Sequence, residues 1–73
     1  MRNIILYTAD WCSACTSAKR FLESKNLEYE EINIEIQQIS RSKLMELTGR
    51  LAVPTIVIDG KVIGGLESLQ ELL

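Results

Sequence analysis

What most limits how this chain can fold is a strand–helix–strand succession in its first half. Asn3 to Thr8 is a short apolar run rich in β-formers, closed by the polar break Ala9-Asp10, and it reads as a buried strand. From Cys12 to about Ser24 the pattern turns helical. Cys15, Ala18, Phe21 and Leu22 share one face, while Ser17, Arg20, Glu23 and Ser24 take the other. Asn26 supplies a stop, and Glu28 to Asn33 alternates as a second strand should. Strand, helix and strand of these lengths form a βαβ unit, with parallel strands and a right-handed crossover.

The second half adds a different pairing. Gln37 to Thr48 reads as a helix burying Ile36, Ile39, Leu44 and Leu47, with Gly49 where a C-terminal glycine belongs. Ser40 is open to two readings, an N-cap or an interior serine. After Pro54, Thr55-Ile56-Val57-Ile58 reads as a strand. Asp59-Gly60 is a two-residue hairpin signal, so Lys61-Val62-Ile63 should return antiparallel before Gly64-Gly65 breaks the strand. Leu66 to Leu73 closes as a helix, with Leu66, Leu69, Leu72 and Leu73 as its buried stripe. The order is β-α-β-α-β-β-α, an α/β chain with no linker, repeat or low-complexity stretch.

At 73 residues, the chain 1–73 is read as a single domain, since two cores do not fit in this length. Its 47% hydrophobic content, carried by Ile, Leu and Val, offsets the marginal stability of so short a chain. A net charge of −2 and a pI of about 5.0, with eight scattered Lys and Arg, argue against nucleic acid as a partner. The apolar runs are too short to span a membrane. Met1 to Tyr7 has a charge but no long apolar stretch or small-residue cleavage site, so a signal peptide is not expected. The compartment inferred is the cytoplasm, where thiols stay reduced, and a monomer is expected.

Two cysteines and no histidine exclude much chemistry. A Cys/His hydrolytic pair is impossible, and a four-ligand Cys/His zinc site cannot be completed within one chain. A disulfide between cysteines three apart would staple almost nothing. What remains is the run Trp11-Cys12-Ser13-Ala14-Cys15, set where the first strand ends and the first helix begins. There the first thiol faces unpaired backbone N–H groups and the positive end of the helix dipole, both of which favour a thiolate. Cys12 is therefore expected to attack a disulfide. Cys15, one turn further along and more buried, is expected to resolve the mixed disulfide so formed. Trp11 is open to two readings, lining the thiol site or packing while partly exposed. Tyr7 and Tyr29 read as strand packing, and Lys19 and Arg20 as a solvated helix face.

Downstream, Val53-Pro54 opens a strand, a position that tolerates proline. Gly64-Gly65 is either a plain strand-to-helix turn or a place where backbone closely approaches a ligand.

Taken together, several stretches match a known family. They are Leu6-Tyr7-Thr8, Cys12-x-x-Cys15, Ala18-Lys19, Tyr29-Glu30-Glu31-Ile32-Asn33-Ile34, Leu47-Thr48-Gly49, Val53-Pro54-Thr55-Ile56, and Asp59-Gly60-Lys61-Val62-Ile63-Gly64-Gly65. Over essentially its full length the chain resembles glutaredoxins and the related small ribonucleotide-reductase redoxins. The resemblance implies a thioredoxin-like, glutaredoxin-type three-layer fold on a four-stranded mixed sheet, with two parallel and two antiparallel pairings. It implies that Pro54 is cis and faces Cys12, and that the Val53 backbone pairs with the substrate or glutathione strand. It further implies that Gly65, Leu66 and Glu67 hold the γ-glutamyl end of glutathione through backbone amides. The chain departs from the family pattern at Ala9-Asp10, where a lysine is usual before the first cysteine. It departs again at Ser13-Ala14 in place of Pro-Tyr, at Ala52 in place of Thr, and at Leu66-Glu67-Ser68 in place of an acidic pair. Trp11 beside Cys12 is more like thioredoxin.

The function expected is thiol–disulfide oxidoreduction of protein or small-molecule disulfides through a Cys12/Cys15 dithiol–disulfide cycle. No bound cofactor and no metal site are expected. Glutathione and a thioredoxin-reductase-type flavoenzyme are the two candidate reductants. Two other classes stand beside this reading: a thiolate-based metal or iron–sulfur carrier, whose cluster two chains would share, and a redox-sensing interaction module.

Overall fold

The first strand, β1 (Ile4–Thr8), runs through the middle of the sheet because both of its faces are apolar. A computed structural model of the chain describes residues 3–72. Along it follow α1 (Ser13–Ser24), β2 (Glu30–Asn33), α2 (Arg41–Thr48), β3 (Thr55–Ile58), β4 (Lys61–Gly64) and α3 (Leu66–Leu72). The sheet order is β2-β1-β3-β4. β1 pairs in parallel with β2, and β3 pairs antiparallel with both β1 and β4. The element order and mixed sheet are those expected. The pairing count is not: four strands in one open sheet make three pairings, one parallel and two antiparallel, rather than two of each.

The main core forms where alternate residues of the two central strands meet two helices. Ile4 and Leu6 of β1 and Ile56 and Ile58 of β3 pack against Ala18 and Leu22 of α1 and Leu69 of α3, with Phe21, Tyr29, Ile63 and Leu66 closing the edges. The α1 face is the one its spacing predicts. Asn26 follows the helix in the left-handed region (φ 58), which ends it. Between β3 and β4, Asp59 and Gly60 both have positive φ, as a two-residue hairpin whose twist matches the strands requires. One extra residue, Ile63, bulges β4 between the Val57–Val62 and Ile56–Gly64 pairs, so the strand continues to Gly64 rather than breaking before it.

Two further boundaries differ from expectation by two residues or more. β2 begins at Glu30 rather than Glu28 and is a half-exposed edge strand. α2 begins at Arg41 rather than Gln37, because Ser40 is its N-cap: the Ser40 Oγ accepts from the Lys43 N–H at 3.1 Å. Upstream of it, Asn33 Oδ1 accepts from the N–H groups of Glu35 and Ile36, and Gln38 adopts φ 56, so residues 34–38 turn without helix. Ile36 is consequently 71% exposed and Leu47 is also exposed, and the face that α2 buries is Leu44 and Thr48. In α3, Leu69 is buried and Leu66 packs on the core, but Leu72 is exposed. Leu73 of the expected stripe, like Met1 and Arg2, lies outside the described residues. Among the described residues no helix is long and apolar enough to cross a membrane.

Candidate active site

A second, smaller apolar cluster sits at the end of β1 where the chain turns into α1. Ala9, Cys12 and Cys15 form it, with Ala14, Ile34 and Val53 packed around them. The turn that delivers Cys12 is braced twice. The Cys12 N–H donates to the Ala9 carbonyl at 3.2 Å. Asp10 is tied to the loop after β2, its N–H donating to Glu35 Oε1 (2.9 Å) and its Oδ1 accepting from Asn33 Nδ2 (2.8 Å). Asn33 thus shapes its own turn and anchors the segment that leads to Cys12. Sequence reading alone missed this, although an Asn closing a strand is a recognised turn former.

Cys12 is the N-cap of α1 with extended backbone (φ −95, ψ 106), so its sulfur meets the unpaired amides of the first turn. The Cys15 N–H donates to Cys12 Sγ at 3.2 Å, taking the part that a Ser or Asp oxygen plays at an ordinary helix start. The Cys12 thiol in turn donates to the Val53 carbonyl at 3.4 Å. Both cysteines are free thiols. Cys15 is 1% exposed, and burial pushes its thiol up to about 12, with the hydrogen bond and charge of Cys12 adding to the effect and Ala9 and Lys19 partly opposing it.

The Val53–Pro54 peptide is cis, the isomer implied by the resemblance. Val53 belongs to two environments at once. Its carbonyl accepts a hydrogen bond from the Cys12 thiol, and the residue lines a neighbouring cleft of about 430 Å³ with Ala14, Arg50, Pro54, Gly65, Leu66, Glu67 and Ser68. Of the residues expected at a substrate site, Val53, Pro54, Gly65, Leu66 and Glu67 therefore share one concavity. Trp11 does not line it and stands 71% exposed beside Cys12. Arg50, Ala14 and Ser68 are the lining residues that the sequence did not single out.

Away from the cleft, Lys19 is not simply solvated. Its ammonium pairs with Glu31 Oε2 at 3.1 Å, and the same oxygen accepts from the buried Thr8 hydroxyl at 2.8 Å. Tyr29 packs on the core while its hydroxyl donates to Glu23 Oε2 at 2.8 Å.

Comparison with known proteins agrees with this geometry. The glutaredoxin family model matches residues 4–63. Glutaredoxin 3 of Escherichia coli (strain K12) is 36% identical over 72 residues, covering 99% of this chain and 87% of that protein. Glutaredoxin 1 of Rickettsia bellii (strain RML369-C) is 39% identical over 77 residues, covering 99% and 78%. Among solved structures, the thioredoxin-like protein BC3987 superposes with a TM-score of 0.82 at 37% identity, covering 97% of this chain and 100% of that one. A buckwheat glutaredoxin, crystallised as its glutathione complex, superposes with a TM-score of 0.81 at 27% identity, covering 96% of this chain. The present chain spans only 66% of the buckwheat protein's length. Because the match runs from β1 into β4 and takes in both cysteines and the cis-proline loop, this chain belongs to the glutaredoxin family and is a thiol–disulfide oxidoreductase.

Proposed function

We propose that the chain reduces disulfides by a dithiol cycle between Cys12 and Cys15. The Cys12 thiolate attacks a substrate disulfide, forming a Cys12–substrate disulfide and expelling the other sulfur as a thiolate. Cys15 then attacks Cys12 Sγ, the Cys12–Cys15 disulfide forms, and the second substrate thiol leaves reduced. Two electrons pass from the dithiol to the substrate, and an external thiol reductant returns them.

The single observation that carries this reading is the contact of the Cys15 N–H with Cys12 Sγ at 3.2 Å, which holds both members of the couple within one turn of α1. The electrostatics give the second step its timing. Two of the influences that hold Cys15 protonated come from Cys12, namely its hydrogen bond and its charge. Both are lost once Cys12 Sγ is bound in a disulfide, whereas the lowering influence of Lys19 persists. Cys15 thereby becomes easier to ionise once Cys12 has reacted, although burial, the largest cause of its raised value, persists.

The cleft beside Val53 supports glutathione as both reductant and mixed-disulfide partner, as does the glutathione complex of the buckwheat relative. In this reading the Val53 backbone and Pro54 take the substrate strand, and Gly65, Leu66 and Glu67 take the far end of the tripeptide. Trp11 offers an exposed apolar face to a protein substrate next to the thiol. A thioredoxin-reductase-type flavoenzyme is the alternative reductant, and a monomeric state and the reducing cytoplasm belong to the same proposal.

Replacing Cys12 by Ser is expected to abolish disulfide reduction, and retained turnover would sink the mechanism. Replacing Cys15 by Ser is expected to trap a mixed disulfide visible by mass spectrometry. If no such adduct accumulates, Cys15 does not resolve it.

A further inference from the structure

Cys15 and Lys19 lie one helical turn apart on α1, as i and i+4 neighbours. A helical side chain leans toward the N-terminus of its helix, so the stem of Lys19 is directed back over the turn that holds Cys15. Two hydrogen bonds on one oxygen fix the ammonium. Lys19 Nζ donates to Glu31 Oε2 at 3.1 Å, and the Thr8 hydroxyl donates to the same oxygen at 2.8 Å. Thr8 is buried at the end of β1, one residue before Ala9, which packs with Cys12 and Cys15. Lys19, Glu31 and Thr8 thus bridge α1, β2 and β1 immediately beside the two thiols.

Lys19 is the cation of this network, and Cys15 is the reacting group within its reach. The Cys15 side chain sits in an apolar cluster with Ala9 and Cys12, closed by Ala14, Ile34 and Val53. The charged and titratable groups that bear on it are Cys12 on the preceding turn and Lys19 on the following one, with Glu31 of β2 facing Lys19. Asp10 and Glu35, on the adjoining loops, are engaged with each other's segments and with Asn33. Burial disfavours a Cys15 thiolate and Cys12 disfavours it further, while the Ala9 backbone and the charge of Lys19 act the other way. Lys19 is one-third exposed, so solvent weakens its field without removing it.

We propose that Lys19 is a positioning residue for the resolving step: held by Glu31 and Thr8, its ammonium stabilises the negative charge that develops on Cys15 Sγ as it attacks the Cys12 mixed disulfide. In that step the Cys15 proton passes to solvent, the Cys12–Cys15 bond forms and the Cys12–substrate bond breaks. The substrate sulfur leaves as a thiolate, and the two electrons it gains are those the dithiol loses. Lys19 supplies charge and donates no proton. Attack by Cys12 comes earlier and draws instead on the amides at the start of α1. The inference rests on the proposed dithiol cycle and concerns its second half alone.

Stopped-flow reduction of dithiodipyridine, an uncharged disulfide that releases chromogenic thiopyridone, separates the two halves in wild type, Lys19→Met and Lys19→Arg. The first release follows attack by Cys12 and scales with disulfide concentration. The second follows attack by Cys15 and does not. A one-unit rise in a thiol's pKa cuts its thiolate tenfold but raises its intrinsic reactivity about threefold, so Lys19→Met should slow the second release about threefold near pH 7 and spare the first. The pH profile of the second release should move to higher pH in Lys19→Met, and Lys19→Arg should largely restore both rate and profile because it keeps the charge. The inference is overturned if Lys19→Met leaves the second release unchanged, if Lys19→Arg slows it equally, or if both releases fall together. If wild type gives no second release, the dithiol cycle itself fails and Lys19 has no step to serve. A folding defect lowers rates at every pH without displacing the profile, and so counts against the inference.

Discussion

The N–H of Cys15 donates to the sulfur of Cys12 at 3.2 Å, yet the Cys15 side chain is sealed beneath the turn that carries Cys12. One residue thus supports the reacting thiol with its backbone and keeps its own thiol in reserve. With burial pushing the Cys15 thiol up to about 12, it stays protonated at pH 8.

That asymmetry should be visible in alkylation. Iodoacetamide at pH 8 should add one label to the folded reduced protein, mapped to Cys12, and two labels in urea. Equal labelling of both cysteines in the folded state would remove the reserve role of Cys15. The same shift has a signed effect on stability. A thiol whose folded value is raised contributes stability that is fully present below its ordinary value of 9.0 and is lost as pH rises toward about 12. Urea midpoints should therefore fall between pH 9 and 12, and the Cys15→Ser variant should lose less over that window.

The start of α2 rests on one hydroxyl, Ser40 Oγ, which accepts from the Lys43 N–H at 3.1 Å. Ser40→Ala should cost about 1 kcal/mol. For a domain of this size that corresponds to a fall in Tm of roughly 4–8 °C, read by calorimetry or circular dichroism. Ser40→Asp should retain most of the stability, because its carboxylate can take over the cap.

The same helix marks where the sequence was legible and where it was not. The pattern at Cys15, Ala18 and Leu22 is a helical stripe with a cap at one end and Asn26 at the other, and α1 forms as read. Around α2 the apolar residues Ile36, Ile39, Leu44 and Leu47 carry a similar period. Two backbone features override it, the Asn33 turn and the left-handed Gln38, and neither is visible in hydrophobic spacing. At the site, both cysteines, Val53, Pro54 and the Gly65–Glu67 stretch were readable from motif and resemblance. Arg50 was not, because its position depends on a side-chain bond to Thr55, which lies beyond the cis-proline turn.

Gly64 pairs with Ile56 at the end of β4 and has φ 118, a conformation that side chains rarely adopt. A Cβ there would also stand 2.7 Å from Ser68 Oγ. Gly64→Ala should therefore destabilise the fold by about 1–3 kcal/mol. Adding Ser68→Ala removes the Oγ contact but not the backbone strain, so the double variant should regain only part of the loss. Full recovery in urea melts would assign the whole cost to the clash.

Glu31 joins β2 to α1 through Lys19 and to β1 through the Thr8 hydroxyl, and the Thr8 bond, followed by Lys19, holds its carboxyl below the ordinary value of 4.5. A carboxyl lowered in the folded state contributes stability that is present above 4.5 and is lost as pH falls through the folded value. Glu31→Gln keeps an acceptor for Thr8 but loses the charge that pairs with Lys19. Both partners of that pair are one-third exposed, so the loss near pH 7 should be no more than about 1 kcal/mol. The gap between wild type and variant should close on acidification, because a protonated Glu31 carries no charge, like the amide that replaces it. It should also narrow in high salt, which screens a partly exposed ion pair but leaves the Thr8 hydrogen bond in place. A gap that persists unchanged in acid and in salt would mean that Glu31 acts through packing, and that the pairing with Lys19 contributes nothing measurable.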